Sequence, residues 1–197
     1  MRLSALRSVF AAVALGLLVA SCGYNTIPTL EEQAKAKWSE VQNQYQRRND
    51  LISNLVETVK GAANFEKGTL EAVINARAKA TSVQINPGDL SDPAKVKQFQ
   101  DAQNQLSGAL GRLIAVSENY PDLKANQNFL ALQSQIEGTE NRIAVARRDY
   151  IASVQTFNTS LRTFPTLLWA KTFFSGTKPM AEFAADEGAS KPPQVKF

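Results

Sequence analysis

Apolar residues recur along this chain with alternating spacings of four and three. One row reads Ala34, Trp38, Val41, Tyr45, Arg48, Ile52, Leu55, Val59 and Ala62; a second reads Val96, Phe99, Gln103, Leu106, Leu110, Leu113, Ser117 and Tyr120. A third reads Phe129, Leu132, Ile136, Thr139, Ile143, Ala146, Tyr150, Ser153 and Phe157. A 3.5-residue repeat keeps one seam of each helix turned towards its neighbours, the pattern of left-handed helix packing. The stretches 29–86, 94–120 and 122–164 contain no proline and are rich in Ala, Gln, Glu, Lys and Leu, all good helix formers. Breaks fall at Gly61-Ala62-Ala63-Asn64, where Asn64 can cap a new helix, at Asn86-Pro87-Gly88-Asp89, and at Tyr120-Pro121-Asp122. Asp92-Pro93 reads as an N-cap followed by Pro at the first helical position. The pattern predicts helices over 29–62, 64–84, 93–119 and 126–162. Short connections make consecutive helices antiparallel, so the expected fold is all-α: an up-down-up-down four-helix bundle with long first and last helices, each roughly 50 Å at about 1.5 Å per residue. The alternative is a coiled-coil oligomer, against which the turns at 86–89 and 120–122 favour closure within one chain.

Arg48 interrupts the first row. Equal rise along antiparallel helices puts Glu140 and Asn141 opposite it, and puts Arg77 level with Asp50, so Arg48, Asp50, Arg77 and Glu140 share one height about midway along the bundle. A lone buried guanidinium costs several kcal/mol, so a bidentate carboxylate partner is expected. Three readings of this layer compete: a polar layer that sets helix register, an arrangement in which Arg47 and Arg148 face solvent and Arg48 snorkels outward, and a carboxylate site for ion binding or catalysis.

Composition narrows the chemistry. The 197 residues hold no histidine and one cysteine, Cys22. Within this chain that excludes histidine-based triads, His-bearing zinc sites and the Glu-x-x-His motifs by which bundle carboxylates usually hold metals. No cofactor is implied. One cysteine cannot build an internal disulfide framework. The formal net charge is +4, but two of the basic residues, Arg2 and Arg7, lie in the leader. No basic stripe flanked by aromatics accompanies the rest, so a nucleic-acid partner is not expected.

The leader supplies an address. Arg2 and Arg7 precede a charge-free apolar run from Val9 to Ala20, of signal-peptide length and too short to span a bilayer. Val19-Ala20-Ser21-Cys22 resembles the lipobox of bacterial lipoproteins, in which the cysteine sulfur receives a diacylglyceryl group and cleavage falls just before it. An ordinary secretory leader with a chance cysteine is the alternative. Residues 1–21 are thus expected to be a cleaved signal peptide, 22–28 a lipidated tether, 29–162 the bundle, and 163–197 an aromatic segment with a loosely held tail. Removing the first 21 of 197 residues leaves 176, enough for one domain with a real core.

Several strings carry a family resemblance. They are Trp38-Ser-Glu-Val41-Gln-Asn-Gln-Tyr45-Gln-Arg47-Arg48-Asn-Asp50-Leu51-Ile-Ser-Asn54-Leu55-Val56, Ala76-Arg77-Ala78, Glu118-Asn-Tyr120-Pro121-Asp122-Leu123, Ile136-Glu137-Gly138-Thr139-Glu140-Asn141-Arg142 and Ala146-Arg147-Arg148-Asp149-Tyr150. In this ordered set the chain resembles the LemA family over nearly all of the expected mature protein. It departs at Ile151, where the family usually has Asn, and in carrying a lipobox where many members have a transmembrane helix. The resemblance implies a helical bundle held at a bacterial membrane and assigns no activity.

After the fourth helix comes Thr163-Phe164-Pro165-Thr166-Leu167-Leu168-Trp169-Ala170-Lys171-Thr172-Phe173-Phe174. The descending helix delivers this segment to the end where the first helix starts, beside the short tether from Cys22. Trp169, Phe173 and Phe174 are therefore expected at the membrane-proximal base, where aromatic rings flanked by lysine suit a headgroup interface. The alternative is that they close the bottom of the core. The expected protein is a non-catalytic, membrane-anchored lipoprotein of the bacterial envelope, its helical faces binding or scaffolding an envelope protein. Gly23 after the cysteine favours the outer membrane. Two other readings stay open: a carboxylate enzyme or ion-binding site using Glu140 and Asp50, and a purely structural spacer.

Overall fold

The computed structural model describes residues 23–61 and 65–184, and every regular element among them is helical. The long elements are α1 (Thr26–Lys60), α2 (Lys67–Ser82), α3 (Pro93–Ser117) and α5 (Gln127–Ser160), with single-turn α4 (Pro121–Lys124) before α5 and short α6 (Thr166–Thr172) after it. A 3-10 segment, Pro87–Ser91, joins α2 to α3. Two helix starts, those of α3 and α5, carry side-chain caps. The Asp92 carboxylate accepts the N–H groups of Ala94 (2.9 Å) and Lys95 (3.4 Å), with Pro93 pre-set for the first turn. Asn126 does the same for Asn128 (2.9 Å) and Phe129 (3.2 Å). The cap expected at Asn64 lies outside the described residues; α2 is entered from Glu66 in extended conformation without a side-chain cap.

α1 lies along α5, α2 lies along α3, and α2 also meets α1. Most of the buried positions are those the spacing predicts, but Tyr120 and Leu132 are only half-buried, Ala62 lies outside the described residues, and Val154 is fully buried in place of half-exposed Ser153. From Tyr150 the row steps four and then three to Phe157, so either position continues the repeat, and the apolar side chain takes the inward place. The core falls into two clusters. One holds Ile27, Trp38, Tyr45, Phe99, Tyr150 and Phe157; the other holds Ile52, Leu55, Leu106, Leu113, Phe129 and Ile136.

Two expectations about the chain ends need correction. Helix α1 begins at Thr26, so the stretch expected as a tether over 22–28 is shorter: Gly23–Asn25 form a turn that runs straight into the helix, closed by Thr26 N–H donating to Gly23 O at 3.3 Å. Cys22 and the leader lie outside the described residues. Residues 177–184, expected to be loosely held, form an extended strap built into the first cluster, with Met180 and Phe183 buried. Their burial satisfies two apolar side chains that a free tail would leave in water. Residues 185–197 lie outside the described part.

Tyr150 joins strap and core, its hydroxyl donating to Ala181 O at 2.9 Å. Burial pushes that hydroxyl well above the usual tyrosine range, with Glu182 adding to the effect. A raised folded value means stability is fully present below about pH 10, the unfolded value, and falls as pH rises past it. In an alkaline absorbance titration, one of the chain's four tyrosines should ionise only as the protein unfolds. Tyr150→Phe should remove that late step and cost about 1 kcal/mol by urea denaturation.

Candidate functional site

Arg48 is 1 % exposed and lies between the two apolar clusters. Its Nη1 donates to Ser107 Oγ (2.8 Å) and to Glu140 Oε1 (2.9 Å). Its Nη2 donates to the side-chain and main-chain oxygens of Gln103. The guanidinium carbon stands 4.9 Å from the centre of the Tyr45 ring, a cation–π contact. Gln103 passes the connection on, donating from Nε2 to Ala80 O at 3.3 Å near the end of α2. One arginine on α1 is thus bonded to α3 and α5, and through Gln103 to α2. Thr139, fully buried and next to Glu140 in the chain, donates to Gln135 O (2.7 Å) and accepts from Arg142 Nη2 (2.8 Å).

The four residues expected in one layer do not all meet. Arg48 and Glu140 are in contact. Arg77 reaches α1 at the expected height, but its Nε donates to the main-chain oxygen of Asn49 at 3.0 Å. Asp50 is exposed and accepts from Gln46 Nε2 at 2.9 Å. A helix turns about 100° per residue, so a side chain next to a core position faces away from it even at the right height. Level and face are separate conditions, and Asp50 meets only the first. The carboxylates of Asp50 and Glu140 therefore serve different partners and do not converge. Among the described residues, no three His, Cys, Asp or Glu come together as a metal site would require. Ser107 was not foreseen; it flanks Leu106 in the repeat and has no apolar signal of its own.

The second feature is a foot of aromatic side chains at the start of α1. Tyr24 packs edge-on to Trp169 (5.6 Å between ring centroids) and Phe173 (5.9 Å), and tilts against Phe174 (5.5 Å). A Cβ on Gly23 would stand 3.2 Å from the Trp169 ring, so the chain leaving the position after Cys22 lies directly against α6. Trp169 and Phe174 are half-buried, whereas Phe164 is 75 % and Phe173 66 % exposed, with Leu168 and Lys171 also exposed beside them. Some rings of the segment thus pack against the bottom of the core while others face out. No helix among the described residues is long and apolar enough to cross a membrane.

The LemA family model matches residues 37–197, taking in α1 from residue 37 onward, the Arg48 layer, α6 and the strap. The chain belongs to the LemA family. Relatives of this LemA-family chain include Magnetosome protein MamQ 2 of Paramagnetospirillum magneticum, 28 % identical over 87 % of this chain and 68 % of the relative. Magnetosome protein MamQ of Magnetospirillum gryphiswaldense is also 28 % identical, over 72 % of this chain and 58 % of its own length. Protein LemA of Metamycoplasma hominis is 28 % identical over 64 % of this chain and 53 % of its own.

The layer makes a quantitative prediction. Glu140→Ala leaves Arg48 with the Gln103 and Ser107 bonds, and the lost carboxylate is partly solvated, so the expected cost is about 1–2 kcal/mol. Arg48→Ala also opens a cavity and strands Gln103, and should cost about 3–4 kcal/mol. In urea denaturation the double variant should fall short of the summed losses by about 1 kcal/mol, the coupling of the pair. Strict additivity would mean that the two side chains do not interact.

Proposed function

We propose that this LemA-family protein is a lipid-anchored component of the bacterial envelope, non-catalytic, whose helical faces bind or scaffold another envelope protein. The observation that carries the reading is the exposed aromatic foot set directly against Gly23, the residue after the lipobox-like cysteine. A diacylglyceryl group on Cys22 with a further amide-linked chain would bury many CH₂ groups at about 0.8 kcal/mol each, enough for stable anchoring. The short turn at Gly23–Asn25 would then bring Phe164, Leu168 and Phe173 to the headgroup region, with Lys171 available to phosphates. Gly23, where an inner-membrane retention signal would place Asp, favours the outer membrane in a host that has two. The names of the relatives describe no reaction, which supports a binding role over an enzymatic one. We also infer that the four long helices run up-down-up-down, a reading supported by the pairing of α1 with α5 and of α2 with α3. In that arrangement the outer faces of the helices stand clear of the membrane as the partner surface.

Anchoring is tested by Cys22→Ser, which should accumulate unprocessed precursor and lose labelling by a fatty-acid probe; processing to the same mature mass would overturn it. The foot is tested separately in a soluble form lacking residues 1–22. Changing both Leu168 and Phe173 to Ser should weaken its sedimentation with anionic phospholipid vesicles by about tenfold or more, since each ring or branched chain contributes on the order of 1 kcal/mol when half inserted. Unchanged partitioning would mean that the foot only closes the core.

A further inference from the structure

The strap is held in a manner foreign to the rest of the molecule. Asn158 on α5 grips one residue from both sides: Oδ1 accepts from Met180 N (2.9 Å) and Nδ2 donates to Met180 O (2.9 Å). Gln100 on α3 repeats the grip, with Oε1 accepting from Ala184 N (3.1 Å) and Nε2 donating to Ala184 O (2.8 Å). Between them, Ala181 N donates to Leu90 O (2.7 Å), and Ala181 O accepts from Tyr150 (2.9 Å). Both main-chain polar groups of Met180, Ala181 and Ala184 are therefore satisfied by α3, α5 and the 3-10 segment, and by no strand partner. Side-chain amides that pair with a peptide unit in this two-point fashion recognise extended backbone whatever its side chains.

Two side chains of the strap are read as well. Phe183 stacks on Trp38 (5.7 Å, 29°) and meets Tyr150 edge-on (5.6 Å, 70°), with the Arg147 guanidinium 4.6 Å from its ring centre. Met180 is buried near the other end, while Glu182 and Ala184 face solvent. The whole is an extended ligand with an unbranched apolar residue followed three positions later by an aromatic one. It joins α6 only through the non-helical run Phe173–Pro179, which holds Gly176, so it can leave without unwinding a helix.

We propose that the cleft between α3 and α5 is a peptide-binding site, that residues 180–184 are its tethered occupant, and that an extended segment of another envelope protein with the same apolar-x-x-aromatic pattern takes their place. This deepens the partner-binding role proposed above by naming the site and the chemistry of the partner. Lipid anchoring plays no part in it, so its test on purified protein fails or succeeds apart from the membrane experiments. Because the occupant is tethered, its local concentration is on the order of millimolar, and a free peptide competes poorly until the strap is weakened.

The experiment uses the complete mature chain and a fluorescein-labelled peptide of residues 177–187, followed by anisotropy. Phe183→Ser should bind the peptide at least about tenfold more tightly than the unaltered protein. Adding Gln100→Ala to that variant should undo the gain, and a peptide with serine at the phenylalanine position should not bind. Failure of a folded Phe183→Ser protein to bind the peptide overturns the proposal, as does a doubled mass by light scattering, which would assign the cleft to strap exchange between copies. Hydrogen exchange on the unaltered protein decides independently of any variant. The amides of Met180, Ala181 and Ala184 should exchange at least about a hundredfold faster than that of Val154, through local opening. Equal protection would make the strap a fixed part of the core and overturn the proposal.

Discussion

Burying the Arg48 guanidinium sets a condition that the surrounding helices must meet together. Charge taken from water needs partners for its donors, and here those of Nη1 and Nη2 come from separate elements, Glu140 from α5 and Gln103 and Ser107 from α3, while the buried Nε has none. Gln103 is in turn bonded to α2. Sliding α5 by one turn, about 5.4 Å, would carry Glu140 out of reach, and sliding α3 would remove two partners at once. The apolar seams on either side would accept such slips at lower cost, because apolar packing is not directional. The polar bonds of Arg48 would be lost in such a slip, whereas apolar contacts could re-form.

This layer also separates two kinds of core. On the side away from the foot the cluster is mainly aliphatic, with Leu55, Leu106, Leu110 and Leu113 among its members. On the foot side it is aromatic, and Trp38, Phe99, Tyr150 and Phe183 meet in tilted and edge-on pairs. Wide rings between long helices leave clefts that aliphatic packing would close. The strap fills one of these clefts, and the segment after α5 closes the base. The proposed functions gather in the same half of the molecule: anchor and foot at the end, peptide cleft just above it. An occupant of the cleft would therefore be held close to the membrane surface.

The four long helices, their approximate bounds and most of their buried faces were legible from spacing, since a 3.5-residue repeat over several turns admits few other readings; the short helices α4 and α6 carry too few turns to show a repeat and were not foreseen. The Asp92-Pro93 start was legible because a capping carboxylate and a proline act within three residues. Arg48 was legible as an exception in its row, and Glu140 as its neighbour by counting rise. Asp50 was misplaced because counting rise fixes height and leaves rotation open. Tyr24, a lone aromatic beside the tether, offered no pattern to connect it with Trp169. The strap carried no periodic signal either, and Gly, Pro and Lys around it made it read as a loose tail.

What the sequence determined by itself is therefore what depends on neighbours a few residues apart: the four long helices, the Asp92 cap, the proline breaks, most of the inward faces, and the family, whose ordered strings span α1 to α5. Tertiary structure alone decided which polar groups complete the Arg48 layer, that Asp50 stays outside it, and that residues 177–184 belong to the core. Those outcomes rest on contacts between positions such as Gln100 and Ala184, or Trp38 and Phe183, which are far apart in the chain. A side-chain amide gripping a distant peptide unit leaves no periodicity behind, because its partner is backbone, which every residue shares.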